Sequence, residues 1–182
     1  LMARVAVIDP QTATGEAKKL LDAVQSGLGM VPNFIRVLAN SPAALNAFLG
    51  IHAIAETGSL DPQTRERIAL AVAEQNACQY CVSAHTAIGR KAGLDTEEML
   101  ANRAGRSSDA KAEAALTFAR ALVEHTGQVS KAEFDAIRAA GHSDGEVIEI
   151  ITHVAMNIFT NLLGKATQVE IDFPKIDLDK VA

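Results

Sequence analysis

The chain has 182 residues, nearly half of them hydrophobic, with no Trp and a single Tyr. That length and apolar content exclude a disordered chain and suit one domain whose core is built from Ala, Leu, Ile and Val. The net charge of −5 argues against a nucleic-acid surface, and no Lys/Arg run points to an anionic membrane.

Taken in order, the residues predict helix after helix. Apolar periodicity and capping signals place helices at about 14–26, 32–39, 42–57, 62–75, 77–92, 96–103, 109–126, 131–140 and 144–167. Ser41-Pro42 and Asp61-Pro62 each set an N-cap before a proline at the first helical position. Asp95, Ser130 and Ser143 each precede a Glu by three residues, the spacing of a capping box. Gly58, Gly93, Gly127 and Gly141 stand where helices should stop. Strand alternation is conceivable only at Arg4–Ile8 and in the tail, where Glu170-Ile171-Asp172-Phe173-Pro174 leads into coil. One all-α domain over 1–182 is expected, with its core at about 14–167 and a C-terminal tail at 168–182. The helices at 109–126 and 144–167 are apolar over wide faces, so subunits are expected to cover them.

No stretch reaches the ~18 consecutive apolar residues of a membrane span. The opening residues show no basic and apolar secretory pattern, so a cytoplasmic location is expected. In that reducing setting, Cys78-Gln79-Tyr80-Cys81 is better suited to catalysis or metal binding than to stapling the fold.

The pair uses both cysteines, and His85 follows Cys81 by one helical turn. A thiol beside an imidazole can become a thiolate, and a second thiol within reach can trap its oxidised product. Asn76 is a candidate cap for a helix beginning near Ala77, which would put both thiols in the positive first turn. Glu74, four residues before Cys78, is the carboxylate that spacing favours as a site-lining group. Glu66 would lie about 120° off the thiol face of one continuous helix, unless a bend at Asn76 folds it back. Zinc would need a fourth ligand beyond Cys78, Cys81 and His85, and no second Cys-x-x-Cys or His-x₃-His supplies one. Two apolar cysteines buried on a helix are the plainest alternative. His153, Asn157 and Asn161 recur at four-residue steps late in the chain and read as an interhelical hydrogen-bond set. His52 carries no functional signal.

Glu66, eleven residues, Cys78-Gln79-Tyr80-Cys81, three residues and His85 together resemble the signature of the AhpD-like alkylhydroperoxidases of the carboxymuconolactone decarboxylase superfamily. Val31-Pro32-Asn33-Phe34, Ser41-Pro42 and Asp172-Phe173-Pro174 are similar to the peroxidase-related branch. The resemblance implies an AhpD-like multi-helix bundle assembled as a homo-oligomer, often a trimer or hexamer. It implies that Cys81 attacks the peroxide, that Cys78 closes the disulfide, and that Glu66 and His85 relay protons. It implies a hydroperoxide substrate and a thiol or dithiol reductant protein; no cofactor or metal is expected. Tyr80 stands where the better-known branch has a second relay His. An unperturbed phenol is a poor base at neutral pH, although Tyr80 can still line the site as a donor. The competing expectations are a general disulfide oxidoreductase, a redox-responsive interaction protein, and a decarboxylase-type enzyme. The cysteine pair counts against the last.

Overall fold

The computed structural model describes residues 3–179. The domain limits at 1–2 and 180–182 lie outside the described residues. Ten helices follow one another: α1 (Gly15–Leu28), α2 (Asn33–Leu38), α3 (Pro42–His52), α4 (Ile54–Thr57), α5 (Pro62–Gln75), α6 (Gln79–Lys91), α7 (Thr96–Arg103), α8 (Ala110–Glu124), α9 (Lys131–Ala139) and α10 (Asp144–Thr167). Among the described residues there is no strand. Arg4–Ile8 forms no ladder: its Arg4 amide bonds the Thr167 carbonyl (2.7 Å) and its Ile8 amide that of Arg36 (3.2 Å), while the Asn40 and Arg36 side chains donate to the Ala6 and Ile8 carbonyls.

The punctuation in the sequence acts largely as its chemistry dictates. Ser41 and Asp61 cap α3 and α5 through their side chains, each ahead of a proline. Ser130 with Glu133 and Ser143 with Glu146 form reciprocal capping boxes. At α7 only half the device forms. Asp95 accepts the Glu98 amide, but the Glu98 carboxylate turns inward to Arg67, Asn102, Ser107 and Ser108. Those bonds hold it ionised well below the usual carboxylate range, against the opposing effect of burial. The helix expected at 42–57 is two helices, broken at Ala53, where the Glu56 and Thr57 amides both fold back to the Ala53 carbonyl.

Helix α5 lies at the centre and packs against α6, α7, α8 and α10. Its run from Ile68 to Ala73 is almost fully buried. One apolar cluster joins α1, α2, α3, the start of α6 and the tail through Leu21, Phe34, Leu45, Phe48, Tyr80 and Val82. A second joins α5 to α8, α9 and α10 through Ile68, Val72, Leu116, Phe118, Ile137 and Ile150. Helix α10 is long and apolar enough to cross a membrane by length and composition. It nonetheless packs along α5 and α8 and turns His153, Asn157 and Asn161 inward.

Candidate redox site

The junction between α5 and α6 builds the site. Asn76 does not cap α6, as its position in the sequence suggests; it closes α5. Ala77 then takes a left-handed conformation (φ 51°), unusual for a residue with a Cβ, and reverses the chain. Cys78 becomes the N-cap of α6, and its Sγ accepts the Cys81 amide at 3.4 Å. A sulfur there faces the unpaired N–H groups and positive end of the helix, a setting that favours thiolate over thiol. Cys78 and Cys81 are joined as a disulfide with Cα atoms 5.3 Å apart. Both are buried, at 1% and 3% exposure, so neither sulfur is presented directly to solvent.

The reversal also answers where Glu66 goes. Folding α6 back along α5 brings Glu66 Oε2 to 2.8 Å from His85 Nδ1. Gly89, one turn beyond His85, helps the two helices approach, since a Cβ there would meet Met99 Sδ at 3.2 Å and the Glu66 Cβ at 3.8 Å. A carboxylate on Nδ1 fixes the tautomer in which Nδ1 carries the hydrogen and Nε2 is the free base. His85 and Glu66 remain partly open, at 21% and 15% side-chain exposure. Solvent therefore reaches the constellation through this pair rather than through the sulfurs.

Two expected lining groups are occupied elsewhere. Glu74 is held by α7 and the tail. One carboxylate oxygen takes Arg103 Nε at 2.7 Å and the other the Asp179 amide at 2.8 Å. Tyr80 donates to Asp172 Oδ1 at 2.8 Å, accepts the Phe34 amide at 3.3 Å and meets Phe173 edge-on. Burial and the neighbouring Asp172 carboxylate push its phenol well above its usual value. Tyr80 thus pins the tail to α2 and is no proton carrier near neutrality.

Two histidines stand near the Glu66–His85 pair without a sequence signal that assigns them there. His52 on α3 and His153 on α10 both feel the charges of Glu66 and Arg65, and burial lowers the pKa of each. His153 is 2% exposed and its Nε2 has no partner. The polar stripe of α10 is therefore only partly satisfied. Asn157 bonds the His153 carbonyl of its own helix, Asn161 Oδ1 accepts Asn76 Nδ2 at 2.9 Å, and Asn161 Nδ2 is left free.

Burial holds His153 neutral, with its pKa lowered to about 4 from 6.5. The unfolded chain binds this proton at higher pH than the folded one, so the stability is intact above about 6.5 and declines as pH falls towards 4. Acidification across that window is expected to lower stability by about 3 kcal/mol, at roughly 1.4 kcal/mol per pKa unit. Denaturant midpoints should show a steep acid limb that His153→Gln flattens. Among the described residues, no group of three or more His, Cys, Asp or Glu side chains is placed to hold a metal ion.

The fold and this junction define a class: an all-helical protein with a dithiol–disulfide pair on a helix N-terminus beside a bonded Glu–His pair. Residues 39–124 match the carboxymuconolactone decarboxylase family. By that stretch, and by the solved structures it resembles, the chain is similar to AhpD-like proteins of that superfamily. Among solved structures it is similar to a peroxidase-related protein from Silicibacter sp. TM1040, at 26% identity over 93% of each chain with a TM-score of 0.77. It is similar to the alkylhydroperoxidase AhpD core of a peroxidase-related protein from Ralstonia eutropha JMP134, at 25% identity, covering 94% of this chain and 93% of that one, with a TM-score of 0.82. The debrominase Bmp8, solved as a variant in complex with 2,3,4-tribromopyrrole, shares the fold at 21% identity, over 94% and 91% of the two chains, with a TM-score of 0.76. No curated protein matches the chain.

Proposed function

We propose that this protein is a thiol-dependent peroxidase that reduces organic hydroperoxides or hydrogen peroxide through Cys78 and Cys81. The observation that carries the reading is the joining of the cysteine pair to a base: Cys81 lies one turn from His85, and Glu66 holds His85 Nδ1. His85 Nε2 takes the Cys81 proton. The Cys81 thiolate attacks one peroxide oxygen and the O–O bond breaks, leaving a sulfenic acid and an alkoxide that protonates to alcohol or water. The Cys78 thiolate then attacks the sulfenic sulfur and expels hydroxide, which leaves as water. A dithiol donates two electrons to restore both thiols. Glu66 and His85 serve as relay groups, no bound cofactor takes part, and the reductant is an external thiol or dithiol protein. Dependence on such a reductant fits a cytoplasmic setting.

The related debrominase shows that this fold hosts other chemistry, so the fold alone does not choose the substrate. Steady-state peroxide consumption with a dithiol in excess tests the reading. Many turnovers per subunit support it; consumption that stops at one equivalent indicates a stoichiometric redox switch instead.

We also propose that the protein assembles as a homo-oligomer, a trimer or hexamer, through α10. Ile148, Thr152, Ala155, Phe159, Leu162 and Ala166 recur at alternating four- and three-residue steps, and none carries a charge. Ile148 and Leu162 are more than 60% exposed and Phe159 40%. Such a seam on one protomer suits the same seam on another. Leu162→Glu is expected to shift the particle towards monomer in light scattering coupled to gel filtration, and unchanged mass would contradict this use of the seam.

A further inference from the structure

Helix α10 grips the α5–α6 junction at three successive points. Asn161 Oδ1 accepts the Asn76 side chain at 2.9 Å, Lys165 Nζ donates to the Asn76 carbonyl at 2.7 Å, and Gly164 lies between them. A Cβ at Gly164 would stand 3.3 Å from Cys78 Sγ, so the missing side chain is what lets that sulfur rest on α10. Asn161 is one turn earlier on the same buried stripe and is 2% exposed. Asn76 occupies its oxygen and so fixes its amide with the Nδ2 hydrogens unspent. An unpaired buried donor is costly, and a neutral disulfide sulfur is a weak acceptor. A thiolate is a strong one.

Building on the peroxidase reading, we infer that Asn161 Nδ2 is a donor to the Cys78 thiolate, and that Cys78 is therefore the sulfur expelled when reductant opens the disulfide. The donor and the α6 N-terminus then act on the same sulfur. A reductant thiolate attacks Cys81 Sγ, the Cys78–Cys81 bond breaks, and its electron pair leaves on Cys78. The reductant's second thiolate attacks its own sulfur in the mixed disulfide, and Cys81 departs with that electron pair and takes a proton. Two electrons have moved, and the reductant has become a disulfide. Since the bond to Asn161 forms only in the reduced state, it also makes the disulfide easier to reduce. Asn161 thus acts on Cys78 and not on Cys81.

The other charged groups near this end are engaged elsewhere: Lys165 on Asn76, Glu74 on Arg103, Asp172 on Tyr80, and Glu66 on His85. The test follows thiolate absorbance near 240 nm against pH in the Cys81→Ser protein, in which Cys78 is the remaining thiol. Asn161→Ala removes both the donor and the clamp on Asn76, whereas Asn76→Ala removes the clamp alone. Asn161→Ala is expected to raise the Cys78 midpoint by about one pH unit and Asn76→Ala to leave it in place. With both cysteines present, Asn161→Ala should lower the equilibrium constant for reduction by glutathione at least tenfold, about 30 mV for this two-electron couple. Equal shifts for the two variants, or no shift for Asn161→Ala, would overturn the assignment. Should Asn161→Ala fail to fold, the unsubstituted protein still decides. Oxidised protein quenched in acid during reaction with glutathione should carry it on Cys81, and glutathione on Cys78 would overturn the proposal. These readouts use no peroxide, so they stand or fall separately from peroxidase turnover.

Discussion

Replacing Cys81 with Ser is expected to reduce hydroperoxide turnover to the uncatalysed rate. Serine keeps the size of the residue and its place on α6, so the fold should survive. Its hydroxyl is far less nucleophilic than a thiolate, and no other thiol stands one turn before His85. Cys78→Ser is expected to behave differently. The first oxidation should proceed and stop at the sulfenic acid, because the resolving sulfur is gone. One equivalent of peroxide would be consumed, and dimedone would label Cys81. If Cys78→Ser instead abolished the first oxidation and Cys81→Ser spared it, the two roles would be reversed.

His85→Ala is expected to slow the peroxide step by about 10²- to 10⁴-fold, the usual worth of a positioned general base. Glu66→Gln should lower the same rate constant by a smaller factor, since Glu66 acts through His85 at 2.8 Å and is not itself at the sulfur. The decisive comparison is the double variant. Groups acting as one unit lose their effect together, so Glu66→Gln in the His85→Ala background should cost little more. Stopped-flow measurement of the oxidation step separates this from reduction. Fully additive losses would mean that Glu66 works independently of His85.

Part of this arrangement was legible in the sequence because it obeys helical spacing. Cys81 and His85 stand one turn apart on α6, and Cys78, its N-cap, is three residues before Cys81, so helical spacing brings the three together. The helix boundaries followed from caps whose side chains bond only three residues away. Glu66 was legible only through family resemblance, because helical geometry alone puts it off the thiol face. What corrects it is the left-handed turn at Ala77, and Ala carries none of the usual marks of that conformation. Glu74, favoured by spacing, instead pairs with Arg103, a partner 29 residues away that local spacing does not name. The bond from Tyr80 to Asp172 spans 92 residues, and local pattern says nothing about which distant carboxylate a tyrosine will meet. His52 and His153 reach the neighbourhood of Glu66 only because α3 and α10 pack together and α10 packs on α5. The free Nδ2 of Asn161 is likewise a tertiary fact, visible once its oxygen is seen to be taken.

The central claim is that peroxide oxidises these two sulfurs to one disulfide. Fully reduced protein treated with one equivalent of cumene hydroperoxide, followed by thiol counting and intact-mass analysis, tests it most directly. The account predicts rapid loss of both thiols with a decrease of about two daltons, the two hydrogens removed in forming the Cys78–Cys81 bond. Survival of both thiols for as long as free cysteine survives in the same solution would contradict it.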